Sequence, residues 1–163
     1  MKLYRLIAKQ AIPISKNEAW EFLSNPKNLS TITPDHMGFE ILEGGNRPMF
    51  SGQIIHYKVT PFSGYSTKWV TEITHVKDGE YFVDEQRFGP YSLWHHKHFL
   101  KPIDGGTEME DIIDYKLPFG ILGQWVHPFL VKKQLRQIFT YREQKLTELF
   151  GTLTTAKNQI VFK

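Results

Sequence analysis

The chain has 163 residues, 40% of them hydrophobic and 23% charged, a length that fits one domain with a substantial core. Its formal net charge is only +3 at pH 7, and because its 20 basic residues are scattered, we do not expect it to bind nucleic acid. It contains no cysteine, which excludes disulfides, thiol catalysis and metals held by thiolates.

The first elements predicted in chain order are one strand and two short helices. Residues 2–12 alternate polar and apolar side chains as a strand does. Ser15 and Glu18 have the spacing of a capping box and predict a helix that starts after Ser15. Asn25-Pro26 predicts the second helix, with the asparagine as its cap. The N-terminus lacks a continuous apolar run, so we expect no signal peptide and a cytoplasmic location.

Six further strands are predicted between residues 37 and 117. These segments are rich in β-branched and aromatic residues and lie at 37–43, 51–60, 64–76, 80–88, 91–101 and 107–117. Short breaks that contain Gly, Pro or Asp separate them, and Asp78-Gly79 is the strongest hairpin signal in the chain. Short connections of this kind join successive strands as an antiparallel meander.

After Pro118 the apolar spacing changes from period two to period 3.6. Apolar residues between Leu122 and Phe150 predict a long amphipathic helix that ends at Gly151. Pro128 interrupts this pattern, and two interpretations stay open. Either the helix kinks there, or a short turn ends just before Pro128 and the main helix begins with Pro128 in its first turn.

Together these elements predict an α+β domain over residues 1–151, followed by a tail over residues 152–163. The expected architecture is a curved antiparallel sheet of about seven strands around the long C-terminal helix, with the two short helices between strands 1 and 2. A curved sheet and a straight helix diverge at one end, and the gap can hold side chains, water or a ligand.

Five motifs in the sequence together resemble one known superfamily. They are Phe82-Val83-Asp84-Glu85-Gln86, Gly89-Pro90-Tyr91, Trp94-His95-His96-Lys97-His98, Leu117-Pro118-Phe119-Gly120 and Tyr141-Arg142. The superfamily is the START-like or SRPBCC group, which includes the polyketide cyclase-like proteins and has the helix-grip fold. The motifs are most similar to a bacterial ligand-binding subgroup, some of whose members carry the label "cell division inhibitor". The resemblance implies a cavity for a small apolar molecule or lipid.

Hairpin pairing predicts which strand residues face the helix. We assume that Lys77 pairs with Glu80 across Asp78-Gly79 and that Gly89-Pro90-Tyr91 is a three-residue loop. Alternate residues of four strands then share the concave face. The predicted cavity residues on this face are Trp69, Ile73, Phe82, Asp84, Gln86, Trp94, His96, His98, Met109, Asp111, Ile113 and Tyr115, and those on the helical segment are Trp125, Phe129 and Arg142.

The predicted face carries polar side chains on three neighbouring strands: Asp84, Gln86, His96, His98 and Asp111. They can satisfy one another as a buried hydrogen-bonded group, or orient an oxygen or nitrogen of a ligand. A third interpretation is catalytic, with His96 or Asp111 as a general base. His96, His98 and Asp111 also have the composition of a two-histidine, one-carboxylate metal site, but we favour a hydrogen-bonded row and predict no metal.

The function that these patterns favour is the binding of a small apolar or amphipathic molecule by a carrier or sensor that uses no cofactor. One alternative is an enzyme similar to a polyketide cyclase/aromatase or a hydrolase, which would use the same cavity. Another is a protein-interaction module with a vestigial cavity. Arg142, on the apolar stripe of the helix, either extends its charged end to solvent, pairs with a carboxylate, or anchors an anionic ligand group. No run approaches the roughly 18 apolar residues of a membrane span, so we expect no stable membrane insertion.

Overall fold

The computed structural model describes residues 2–62, 65–154 and 156–163. Within these residues the chain forms one eight-stranded antiparallel sheet in the order β2-β3-β4-β5-β6-β7-β1-β8. The strands are β1 (Tyr4–Ile12), β2 (Glu40–Glu43), β3 (Gln53–Phe62), β4 (Tyr65–Lys77), β5 (Tyr81–Phe88), β6 (Leu93–Ile103), β7 (Gly106–Lys116) and β8 (Gln159–Phe162). The predicted α+β class and the meander from β2 to β7 are confirmed.

The connection between β1 and β2 contains the two short helices that the capping patterns predict. Helix α1 (Lys16–Leu23) begins after Ser15, whose hydroxyl accepts from the Glu18 N–H at 3.2 Å. The Glu18 carboxylate in turn accepts from the Ser15 N–H at 2.9 Å, which completes the capping box. The second helix is a 3₁₀ turn, Pro26–Leu29, capped by Asn25, and a further 3₁₀ turn covers Asp35–Met37.

The C-terminal helical run has three parts. Helix α2 (Gly120–Val126) continues through a π-helical segment (His127–Val131) into the long helix α3 (Lys132–Phe150). Pro128 lies in the π-helical segment, so it neither starts α3 nor ends α2. A wider turn of this kind is a common way to pass an interruption in a helix. No helix among the described residues is long and apolar enough to cross a membrane.

The C-terminal residues differ from the prediction of a loose tail. Residues Gln159–Phe162 form β8, which pairs antiparallel with β1, and Ile160 and Phe162 pack against the core beside β1. The expectation of no regular structure is therefore wrong for these four residues, and the sheet has eight strands rather than about seven. A four-residue strand is too short to show a period, and its partner strand lies at the other end of the chain.

The β4–β5 hairpin has the predicted register at Ile73, although its turn is not the predicted one. Lys77 pairs with Tyr81 instead of Glu80, but a β-bulge on the turn side of Ile73 shifts the pairing back by one residue. Ile73 therefore lies opposite Asp84, as it would across a two-residue turn. The two deviations cancel, and the predicted faces of β4 and β5 are correct from Ile73 to Thr71, after which a second irregularity before Val70 shifts the pairing again.

The helix α3 covers one half of the sheet directly. Leu135 and Phe139 of α3 pack with Leu6 of β1 and with Ile113 and Tyr115 of β7 in one buried cluster. A second cluster joins α1 to the C-terminal part of α3, and a third lies on β3 and β4. The space between these three clusters, over β4, β5 and β6, contains the candidate site.

Candidate functional site

A cavity of about 200 Å³ lies between the concave face of the sheet, helix α3 and the connection between β1 and β2. Its walls are mainly apolar. The connection contributes residues such as Phe22, Leu29, Ile32 and Met37, and α3 contributes Leu135, Ile138 and Phe139. This volume is below the roughly 300–1,000 Å³ of typical small-molecule sites, so the cavity suits a small ligand.

Seven of the residues predicted for the cavity lie on its wall. They are Trp69, Phe82, Asp84, Trp94, His96 and His98 on the sheet and Arg142 on α3. The strand pairing that brings them together follows the predicted register, since Asp84 lies opposite His96 and Phe82 lies opposite His98. The ligand-binding role of these residues stays a prediction.

Six other predicted residues on the sheet do not line the cavity. Ile73, Met109, Ile113 and Tyr115 are buried in the packed clusters, Ile73 among residues of β3 and the other three where β7 lies against the helices. Gln86 is used structurally, since its amide donates to the Tyr91 carbonyl at 2.6 Å and accepts from the Tyr91 N–H at 3.2 Å. Asp111 lies behind the wall and contacts residues that line it.

Trp125 and Phe129 were predicted to face the cavity, and this is wrong. Their side chains are 76% and 80% exposed. The helical spacing of their apolar neighbours indicated a buried stripe, which holds for α3 but not for the segment before it. In α2 and the π-helical segment, the same spacing produces an apolar surface that faces outward.

Three aromatic side chains form one end of the cavity wall. The rings of Trp69 and Trp94 meet edge to face with centroids 5.3 Å apart, and Tyr91 lies 4.8 Å from Trp94. Tyr91 belongs to the loop between β5 and β6, which Gln86 holds in place through the two hydrogen bonds above. This packing fixes a rigid apolar surface next to the polar part of the wall.

The polar part of the wall is a cluster of five side chains, defined as Asp84, His96, His98, Asp111 and Arg142. The His98 Nε2 atom lies 2.7 Å from Asp84 Oδ2, and the His96 Nε2 atom lies 2.9 Å from Asp111 Oδ1. Arg142 Nη1 donates to the same Asp111 oxygen at 3.2 Å. The two imidazole rings are 3.7 Å apart, so a charge on one affects the other.

Burial and charge act on this cluster in opposite directions. Burial disfavours the charged form of Asp111, but the charge of Arg142, the hydrogen bond with His96 and the close approach of His98 hold the pKa of Asp111 well below its usual value. Burial also opposes protonation of both histidines. For His98 the carboxylates of Asp111 and Asp84 outweigh it and raise the pKa.

The two histidines therefore differ in protonation. Burial and the neighbouring charge of His98 lower the pKa of His96, which favours its neutral form. The cluster holds one proton more readily on His98 than on His96. Asp111 stays ionised and makes a weak base, since its low pKa disfavours taking a proton at neutral pH.

Two buried nitrogen atoms of the cluster have no hydrogen-bond partner among the described residues. These are Nε of Arg142 and Nδ1 of His98. His98 Nδ1 does approach Asp111 Oδ1 to 2.8 Å, a close electrostatic contact but at an angle that makes no hydrogen bond. Since buried polar groups are almost always paired, and Arg142 lines the cavity, its Nε–H is a natural donor to a bound molecule.

Three members of the cluster could also hold a metal ion. Asp84, His96 and His98 offer ligand atoms that lie within 4.8 Å of one another. The carboxylate in this set is Asp84 and not the predicted Asp111, which accepts a hydrogen bond from Arg142. In this geometry the His98–Asp84 hydrogen bond occupies the position where a metal would lie, and the absence of a metal stays a prediction.

Sequence reasoning missed the residues that close the cavity from the side opposite β6. They belong to the connection between β1 and β2 and to β3, where Tyr57 and Val59 line the wall. The hairpin pairing that defines the predicted face extends only from β4 to β7. Apolar residues of α1, such as Phe22, were a usable signal because a two-turn helix on a sheet can bury them only against it.

Comparison with solved structures relates the fold to known ones. TTHA0849 from Thermus thermophilus has a TM-score of 0.68 at 14% identity and covers 89% of this chain and 98% of that chain. Protein CV1439 from Chromobacterium violaceum has a TM-score of 0.68 at 14% identity and covers 91% of this chain and 99% of that chain. Ara h 8.0201 has a TM-score of 0.61 at 15% identity, with coverage of 90% and 99%.

Identities at this level show the fold alone, and that fold is the helix-grip fold. No protein-family model and no curated protein matches the chain. The part of the motif resemblance that concerns the fold is therefore confirmed. The subgroup stays a prediction.

Proposed function

We propose that the cavity binds a small molecule that is mostly apolar and has one polar end, and that the protein is a carrier or a sensor of this molecule. The observation that supports this is the distribution of polarity on the wall. Apolar side chains surround the cavity on most sides, and the charged cluster lies on one side. Sites with this arrangement bind through apolar contact and orient the ligand by a few polar groups.

The chemistry of the cluster suggests the nature of the polar end. Arg142 has a buried Nε–H without an acceptor among the described residues, while its Nη1 is held by Asp111. A ligand oxygen from a carboxylate, carbonyl or hydroxyl group would satisfy this donor. The protonated form of His98 would add a second favourable charge for an anionic oxygen. The proposed ligand is therefore amphipathic with an acceptor group.

The motif resemblance supports the same role, because the START-like subgroup that it indicates consists of ligand-binding proteins. Nothing in the cavity relates to the label "cell division inhibitor", so the proposal is limited to binding. An enzyme that uses the same cavity is the alternative. Asp111 is disfavoured as its general base by a low pKa and its position behind the wall. His96, neutral and on the wall, would be the base in that case.

The proposal can be tested with the probe 8-anilinonaphthalene-1-sulfonate, which combines an apolar body with an anionic group. We expect Arg142→Gln to weaken binding of the probe about tenfold, the worth of one charge-assisted hydrogen bond. The matched control is Arg136→Gln on the exposed face of the same helix. A second variant, Ile138→Trp, fills the cavity with a larger side chain and should remove binding.

Equal affinity of the wild-type protein, Arg142→Gln and Ile138→Trp would contradict the proposal. The probe would then bind elsewhere, for example on the exposed apolar side chains of α2. Native mass spectrometry of protein purified from its own host supplies the complementary result. A co-purified small molecule that is lost in Ile138→Trp would support the proposal and identify the ligand.

A further inference from the structure

A large apolar surface lies on α2 and its flanking residues, outside the cavity. It consists of six side chains, which we call the α2 patch: Phe119, Ile121, Leu122, Trp125, Phe129 and Leu130, exposed by 81%, 72%, 74%, 76%, 80% and 46%. Exposed apolar residues elsewhere in the described chain are more scattered. A contiguous apolar surface of this kind marks an interaction site in a protein that folds normally.

The α2 patch is held outward by polar and aromatic contacts at its base. His127, in the middle of the apolar run, is buried and lies 2.6 Å from the Tyr115 hydroxyl. Its ring stacks on Tyr4 with centroids 3.7 Å apart. These contacts turn His127 inward, so its apolar neighbours in the sequence face solvent. Phe119 starts the segment with φ of 64°, a backbone conformation that a large side chain rarely adopts.

The surroundings of the α2 patch carry one sign of charge. From residue 115 to residue 142 the sequence contains no Asp or Glu, but it contains Lys116, Lys132, Lys133 and Arg136 in addition to the buried Arg142. Lys2 also lies at the base, with its ammonium 5.0 Å from the ring of Tyr4. Trp125 and Phe129 thus lie in a stretch of sequence whose charged side chains are all cations.

We propose that the α2 patch docks onto a lipid bilayer that contains anionic lipids. The apolar side chains would enter the boundary between headgroups and acyl chains, and the lysines at the base would contact anionic headgroups. Aromatic residues with flanking Lys and Arg are typical of elements that lie in this interface. The occupant is a lipid surface rather than a second copy of the chain, because two copies would bring their cations together.

This proposal is independent of the cavity, since it uses none of the residues of the polar cluster. It can be tested by flotation of the full-length protein with two kinds of vesicle. One kind is pure phosphatidylcholine, and in the other about a third of the lipid is phosphatidylglycerol. We expect binding to the anionic vesicles, weaker binding to the neutral ones, and a loss of binding as salt is raised to about 1 M.

Two sets of variants separate the apolar and electrostatic contributions. The double variant Trp125→Ser with Phe129→Ser should reduce binding to anionic vesicles by at least about tenfold. Lys132→Gln and Lys133→Gln should each reduce it by about fivefold. The matched control is Phe50→Ser, which removes another exposed aromatic side chain, 44% exposed, in the loop before β3. Its vesicle binding should equal that of the wild type.

Three results would overturn the proposal. One is no binding to either kind of vesicle, and another is binding that the double variant leaves unchanged. The third is a dimer in solution, seen by light scattering, that the double variant dissociates while no vesicles bind. Arg142→Gln distinguishes this proposal from the cavity function, because it should bind vesicles like the wild type even if it no longer binds the probe.

Discussion

Two regions of the molecule have similar side chains and opposite environments. The wall formed by β4, β5 and β6 and the α2 patch are both rich in aromatic residues, yet Phe82 on the wall is 4% exposed and Phe129 in the patch is 80% exposed. The wall residues alternate along strands whose neighbours fix their face. The patch residues lie on a helical run over which no element of the described chain packs. Residue type therefore indicates burial only when the neighbouring element is known.

The largest expected effect comes from a matched pair on the C-terminal helical run. Phe139 on α3 is buried, and Phe129, ten residues earlier, is exposed. We expect Phe139→Ala to lower the free energy of unfolding by about 3–5 kcal/mol, from lost apolar burial and the cavity left behind. Phe129→Ala should change it by less than about 0.5 kcal/mol. Urea denaturation followed by circular dichroism measures both, and equal losses would mean that the α2 patch is packed in solution.

This pair also shows how far the sequence could predict the fold. The capping box at Ser15, the meander and the long helix follow from local patterns, and all three are present. The register of β5, β6 and β7 follows from loop length, which is again local. Strand β8 and the outward direction of α2 depend on contacts between distant parts of the chain. Periodicity carries no information about such contacts, so these two features could not be predicted.

The candidate site, like the fold, could be predicted where it depends on local strand pairing and not where it depends on contacts between distant parts of the chain. His96 contacts Asp111 as the shared face requires. The face alone did not distinguish wall residues such as Phe82 from packed residues such as Ile113, because that depends on where α3 lies over the sheet. It also did not place Arg142 next to Asp111, although pairing with a carboxylate was the expected behaviour of an arginine on an apolar stripe.

The next prediction concerns the buried charges beneath the wall. Asp111→Ala leaves the buried Arg142 without its carboxylate, and we expect a loss of about 3 kcal/mol in the free energy of unfolding. The control is Glu148→Ala, which breaks the exposed ion pair with Lys145 and should cost less than about 1 kcal/mol. The comparison uses the urea midpoint at neutral pH. Similar midpoints would show that water or a counterion already reaches Arg142.

A smaller effect is expected from His127, the anchor of the α2 patch. Burial, with help from the charges of Lys2 and Lys132, lowers the pKa of His127 to about 4, against about 6.5 in an unfolded chain. Between these values the unfolded state binds more protons, so stability falls as the pH decreases from about 6.5 to about 4. We expect His127 to account for about 2 kcal/mol of this fall, since salt screens part of the effect of the lysines.

The measurement is the free energy of unfolding at several pH values for the wild type and for His127→Gln, which keeps a polar group near Tyr115. The variant should lose less stability between pH 6.5 and pH 4. His96 shifts in the same direction, so part of the dependence will remain.

The smallest expected effect decides between binding and catalysis at the wall. Asp111→Asn keeps the shape of the side chain and removes its charge, and Asp111 does not itself line the cavity. A carrier or sensor should therefore keep its affinity for an apolar ligand within about tenfold, the worth of one modest hydrogen bond. An enzyme that depends on this carboxylate, directly or through His96, should lose roughly 10²–10⁴ in turnover while it still binds. Because the low pKa of Asp111 disfavours its taking a proton, we expect the first result. Preserved binding with collapsed turnover of any candidate substrate would reverse the preference and make the cluster catalytic.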